Sequence, residues 1–226
     1  MEYITSSDFH FKDTAVALGK FEGIHRGHQL LMDEVKKQEL HGLRSVVFTF
    51  DRPTRLTLTG DTEYKQIYTK KERREILEKR GIDILIEHPF TKEFAALTPD
   101  RFIREVLVEK VGAKVIVVGT DFHFGKNRSG SITDLEKLEE ECGYHLIVVE
   151  KLQLNGKDIS STRIRASLEK GAMEEAKALL GRNYSVSGEI LHGNALGRTI
   201  QVPTINQQVP SFKLLPPNGV YVSKIH

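Results

Sequence analysis

Ten residues, Gly19-Lys-Phe-Glu-Gly-Ile-His-Arg-Gly-His28, combine three glycines with two histidines three positions apart, and phosphate binding is chemistry that such a stretch can do. The segment follows an apolar run and precedes an amphipathic one, so it joins a strand to a helix. A glycine-rich turn of that kind presents backbone N–H groups and the positive end of a helix to an anion, with Gly19 and Gly23 in the turn itself. On the first helical turn His25 and His28 share a face, from which both imidazoles can donate to one phosphate chain. Gly27 leaves room for that chain close to the backbone. With 9 His and 18 Gly in 226 residues, His-any-Gly-His arises by chance about 0.03 times. Two other readings stand beside this one: a surface turn with solvated histidines, and a metal pair, against which counts the lack of a nearby Cys or further His to complete a zinc site.

Two further stretches carry polar chemistry. In Asp158-Ile-Ser-Ser-Thr-Arg-Ile-Arg165, the hydroxyls of Ser160, Ser161 and Thr162 start a helix that runs to Gly171. They either cap that helix or, with Arg165, offer amides, hydroxyls and a guanidinium to a polyanion. The loop from Gly119 to Gly130 holds Asp121, Phe122, Phe124, Lys126 and Arg128. Aromatics beside cations suit a planar ligand bearing phosphate, and composition leaves equally open that both phenylalanines are core residues.

The elements that must position these residues alternate. Thr14 to Phe21, Ser45 to Phe50, Asp83 to His88, Lys114 to Gly119 and His145 to Leu152 are nearly continuous apolar runs, the pattern of strands buried on both faces. Helix punctuation lies between them. Thr69-Lys-Lys-Glu72 reads as a capping box, Thr98-Pro99 as an N-cap followed by proline, Ser131 or Thr133 as a cap, and Gly181 as the end of a short helix. The predicted fold class is α/β, a Rossmann-like parallel sheet covered on both sides, with ligands beyond the carboxyl ends of its strands. The histidine turn, the Thr49-Phe50-Asp51-Arg52-Pro53 turn and the 119–130 loop all fall on that edge.

Composition narrows the partners. Lys plus Arg number 33 against 31 acidic residues, a net charge of +2, so no bulk field calls for nucleic acid or an anionic membrane. Cys142 is the only cysteine, which rules out an intrachain disulfide framework and fits a reducing compartment. No apolar run approaches membrane-spanning length, and the N-terminus lacks the build of a signal peptide, so a cytoplasmic location is expected.

His25-Arg-Gly-His28 together with Ile159-Ser-Ser-Thr-Arg-Ile-Arg165 resembles the paired signature of the nucleotidyltransferase superfamily. The Phe50 to Pro53 turn and the 119–130 loop narrow the resemblance to the adenylyltransferase module of prokaryotic riboflavin kinase/FAD synthetases, over roughly residues 14 to 180. The resemblance implies transfer of AMP from ATP to FMN, giving FAD and pyrophosphate. It implies ATP binding by Gly19, Phe21, Gly23, His25, Gly27, His28, Ser160, Ser161, Thr162 and Arg165. His25, His28 and Arg165 are the catalytic set, Mg²⁺ bridges the phosphates, and Phe50, Pro53, Asp121, Phe124 and Arg128 surround the flavin. Lys20 and Glu22 replace the asparagine and aspartate usual in the family's Asn-Phe-Asp. The alternatives are a transferase with another phosphorylated acceptor or a non-catalytic flavin-nucleotide sensor.

Past Gly181 the texture changes, which sets expected domains at 1–181 and 182–226. Ser185 to Ile190 and Val220 to Ile225 alternate like half-exposed strands, with prolines and no helical pattern between them. Gly193 to Gly197 and Pro203-Thr204-Ile205-Asn206 resemble the opening of the family's riboflavin kinase barrel, whose matching motif holds Mg-ATP. Since residue 226 precedes the remaining barrel strands, riboflavin phosphorylation is expected to be absent despite Thr204 and Asn206. An open β edge there could pair with a second copy.

Overall fold

The computed structural model describes residues 1–54, 57, 60–61, 63–191 and 204–225. Its centre is a six-stranded parallel sheet built from β1 (Glu2–Ile4), β2 (Thr14–Leu18), β3 (Arg44–Phe50), β4 (Ile84–His88), β5 (Ala113–Gly119) and β6 (His145–Val149), in the order β1-β4-β3-β2-β5-β6. Side chains on a strand alternate between faces, and two cores follow. Val16 and Leu18 pack with Val46, Phe48, Ile84, Ile116, Ile103 and Leu107 on one face. Ala15 and Ala17 pack on the other with Val47, Leu85 and Val117, under Leu31, Met32 and Val35 of the helix Arg26–Lys37. Burial of each of these larger side chains contributes about 1.5–3 kcal/mol.

The order runs from β2 outward through β3 to β4, then returns to place β5 and β6 on the other side of β2. The reversal between β2 and β5 opens a crevice at the carboxyl edge. The turn after β2 and the loop after β5 flank it.

Local signals act where expected. Thr69 and Glu72 form a reciprocal capping box for the helix Lys70–Lys79, Thr98 caps Pro99–Arg101, Ser131 caps Ile132–Cys142, and Gly181 ends Met173–Leu180 with a φ of 71°. A third cluster, with Ile67, Ile164, Leu168, Leu179, Leu180 and Leu214 at its heart, packs the helices Ser161–Glu169 and Met173–Leu180 below the crevice.

Several elements differ from the sequence expectation. β2 stops at Leu18, because Phe21 turns back beneath Gly19, where a Cβ would lie 3.0 Å from its ring. β1 adds an edge strand beside β4. β6 ends at Val149, and a hairpin follows, with β7 (Gln153–Leu154) paired to β8 (Lys157–Asp158) across Asn155 and Gly156 at φ 55° and 69°. Positive φ at both loop residues is what the asparagine-glycine pair favours. Residues 220–225 form no strand: Val220 and Val222 are fully exposed, and no described strand lies beside them to supply a ladder. β9 (Glu189–Leu191) pairs antiparallel with β10 (Asn206–Gln208). Gly193 to Gly197 and Pro203 lie outside the described residues, whereas Thr204 and Asn206 are exposed.

Candidate active site

The turn after β2 is built from the inside outward. Phe21 and Ile24 are fully buried with positive φ of 45° and 42°, an unusual conformation for bulky side chains that the packing around them must hold. His25, 7 % exposed, caps the helix Arg26–Lys37 with its own ring: Nδ1 accepts the His28 N–H at 3.2 Å. A neutral His25 therefore carries its proton on Nε2, leaving that nitrogen as the donor. The His25 and His28 rings stack 3.6 Å apart, and Phe21 meets His28 edge-on at 5.0 Å. At Gly27 a Cβ would sit 3.3 Å from the His25 ring, so this glycine is what lets the imidazole fold over its own helix.

Two imidazolium ions would not stack at that distance, and the electrostatics agree. Burial pushes His25 down to about 4; the charge of Arg182 adds to the shift, and Asp121 in the loop after β5 opposes it. His28 is held well below its ordinary value by burial, then by His25 and Arg182. Its Nδ1 is shielded from solvent and has no hydrogen-bond partner among the described residues. The pair is a set of neutral donors at a helix N-terminus, suited to a polyanion.

The second signature approaches at Gly23. A Cβ on Gly23 would lie 3.3 Å from Ile164 and 3.7 Å from the Ser161 hydroxyl, so the two helix starts share one floor. Ser160 caps the second helix by accepting the Arg163 N–H at 3.3 Å, Ser161 is half-buried and Thr162 is exposed. Arg163 is spent on structure, on Glu175 and the carbonyls of Leu154 and Lys157. Arg165 pairs with Glu22 and lies 4.4 Å over the Tyr64 ring, while the Tyr64 hydroxyl donates to Glu22 at 2.8 Å. Glu22 thus ties the two signatures together, a role its position in the sequence did not suggest.

The residues expected around the flavin divide. Phe50 is half-buried at the end of β3, edge-on to Phe90 at 4.8 Å and Phe94 at 5.7 Å, with its carbonyl accepting from Arg73; Pro53 is half-buried nearby in sequence. Phe124 is a core side chain, 7 % exposed, packed on Phe102 and Phe122. Asp121 is exposed and paired with Lys151 at 3.1 Å, and Arg128 is exposed at φ 58°. Among the described residues no group of three His, Cys, Asp or Glu could hold a metal.

Sequence reasoning passed over three residues beyond Gly181 that return to this floor. Arg182 donates to the carbonyls of Gly23 and Ile24 at 2.9 and 2.8 Å. The Tyr184 hydroxyl donates to the Ile67 carbonyl at 2.9 Å. Lys213, 3 % exposed, donates to that same carbonyl at 2.7 Å and pairs with buried Glu72 at 2.6 Å; burial pulls its ammonium down to about 8, against Glu72. A proline-rich connection carries no periodicity from which to read such long-range anchors.

A parallel sheet with its order reversed beneath two adjoining helix starts defines the class as an α/β nucleotidyltransferase fold. A family model described as FAD synthetase matches residues 8–163, and one described as riboflavin kinase matches residues 180–226. Curated proteins named bifunctional riboflavin kinase/FMN adenylyltransferase are similar over most of the chain. That of Listeria monocytogenes is 34% identical over 98% of this chain and 70% of its own length, and that of Bacillus subtilis 35% identical over 93% and 67%. The one from Escherichia coli K12 is 33% identical over 93% and 67%. A crystal structure from Streptococcus pneumoniae, described as a macrolide-efflux protein, superposes with a TM-score of 0.86 at 31% identity over 98% of this chain and 73% of that one. Among the described residues no helix is long and apolar enough to cross a membrane. The chain belongs to the FAD synthetase family.

Proposed function

We propose that this chain transfers the adenylyl group of ATP to FMN. A phosphate oxygen of FMN attacks the α-phosphorus, the bond from that phosphorus to the β-phosphate oxygen breaks, and FAD and pyrophosphate are the products. The attacking group is already an anion, so no protein nucleophile is needed and catalysis is positioning and charge stabilisation. The observation that carries the reading is the meeting of the two helix starts at Gly23, beside neutral stacked His25 and His28, on the crevice between β2 and β5.

In this reading Nε2 of His25 and the ring of His28 donate to the triphosphate. Ser161, Thr162 and the amides around Ser160 receive the departing phosphates, and Arg165 stands beside them, oriented by Glu22. With no cluster of acidic side chains here among the described residues, Mg²⁺ would be held by the oxygens of the triphosphate itself and would supply charge neutralisation. Phe50 and Pro53 offer an apolar surface for the isoalloxazine, and Arg128 a cation for the FMN phosphate. Residues 1–181 carry the groups that touch the substrates in this reading, and residues 182–226 are a riboflavin-kinase-like segment.

The test is incubation with ATP, Mg²⁺ and, in separate arms, FMN, phosphopantetheine or glycerol phosphate, with chromatographic separation of products. FAD and pyrophosphate in the FMN arm alone support the assignment. Product only in another arm overturns it.

A further inference from the structure

Among the described residues Arg182 donates to three carbonyls, with the Tyr68 side chain beside it, and to no carboxylate. Besides Gly23 and Ile24, its guanidinium reaches Leu180 at 3.2 Å; Gln29 supports the Ile24 and Leu180 carbonyls from the other side at 3.0 and 2.8 Å. Its Nε is shielded from solvent without a partner among the described residues, and the group lies 5.1 Å over the Tyr68 ring. A guanidinium stays charged under such burial. Carbonyl oxygens solvate it without cancelling the charge, and burying a charge without an opposite one costs several kcal/mol.

The geometry shows what that cost achieves. In a trans peptide the C=O and the following N–H point opposite ways. Pinning the carbonyls of Gly23 and Ile24 toward Arg182 therefore turns the N–H groups of Ile24 and His25 away from it, and neither donates within the protein among the described residues. Those two amides stand immediately before the helix start that His25 caps. Resting on the adenylyl-transfer reading above, we infer that Arg182 is a positioning residue for the reaction: it aims the N–H groups of Ile24 and His25 at the polyphosphate and places a fixed positive charge behind them. It lies in the span that matches riboflavin kinase, 180–226, and outside 8–163, so the adenylyl site is completed from beyond the FAD synthetase match.

The charged groups facing the histidines are few, which makes the charge measurable. Arg182 comes from the segment after Gly181 and Asp121 from the loop after β5; His28 stacks on His25, and the uncharged Phe21 ring meets His28 edge-on. Arg26 turns toward Gly181, where a Cβ would meet its side chain at 3.1 Å.

The test uses the full 226-residue chain as wild type, Arg182→Lys and Arg182→Met, with three readouts: FAD formation, Kd for ATP·Mg by calorimetry, and the titration midpoint of His25 followed by NMR. Arg182→Met is expected to weaken ATP binding about tenfold and to raise the His25 midpoint by about half a pH unit, since the lost charge disfavoured the imidazolium. Arg182→Lys keeps the charge, so the His25 midpoint stays near its wild-type value. An ammonium cannot reproduce the planar fork across three carbonyls, so kcat/KM falls about tenfold. A purely structural arginine would lose ATP affinity and activity only in proportion to unfolded protein in both variants, and that result overturns the proposal. Should Arg182→Met not fold, the lysine variant decides alone: wild-type kcat/KM in folded Arg182→Lys refutes it. Should wild type make no FAD, adenylyl transfer itself fails, while ATP affinity and the His25 midpoint still report on Arg182.

Discussion

In β2 all five side chains are buried and a parallel partner lies on each side, whereas in β9 and β10 all six are exposed and each strand pairs with the other alone among the described residues. Yet the C-terminal segment is not loosely placed. Arg182, Tyr184 and Lys213 converge on the backbone of residues 23–24 and 67, and the Ser187 N–H donates to Glu72 at 2.8 Å. The sheet is held by apolar area, which is large and undirected. The segment is held by a few buried polar contacts, which contribute little net stability when complete, fix one geometry, and cost much when broken.

The comparison breaks most visibly at Lys213. Lys213→Met leaves the Glu72 carboxylate buried without its cation and should destabilise the protein by about 3–5 kcal/mol in urea unfolding. Adding Glu72→Gln removes the stranded charge and should recover part of that loss. A loss below about 1 kcal/mol for the single variant would show that the anchor does not hold the segment.

Acid should attack the site before the sheet. His25 titrates near 4 folded against 6.5 unfolded, so between those values the unfolded chain binds more protons. The stability linked to this group is complete above pH 6.5 and is lost as pH falls toward 4, on the order of 3 kcal/mol in all. His25→Gln should flatten that part of the pH–stability curve. An equally steep curve in the variant would place the acid sensitivity elsewhere.

Activity sharpens the contrast within the body. His25→Ala and His28→Ala should each lower kcat about a hundredfold, the size of one oxyanion donor. Neither touches the segment's anchors, so hydrogen exchange at Ser187 and Leu214 should stay as in wild type. Full activity in the double variant would remove both residues from the mechanism. The smallest effect belongs to the second helix start: Ser160→Ala deletes the cap on the Arg163 N–H and should cost about 1 kcal/mol by thermal melting, with the sheet cores untouched.

Much of the fold was legible because its signals are local. The capping box from Thr69 to Glu72 spans four residues, Thr98 with Pro99 two, and the apolar runs of the central strands announce burial on both faces without reference to any partner. Asn155-Gly156 carried a hairpin signal of the same kind, hidden behind the apolar residues before it. The spacing of His25 and His28 likewise announced that the two rings meet, although His25 does so as the cap before the helix rather than from its first turn. Folding alone decided what those rings rest on and what charge stands behind them. Glu22 reaches Arg165 across 143 positions, Arg182 reaches Gly23 across 159, and Lys213 reaches Glu72 across 141. Hydrophobic periodicity and capping act within about four residues of a position, so they specify elements. A buried polar contact depends on which distant groups lose their water together, and only the packed chain determines that.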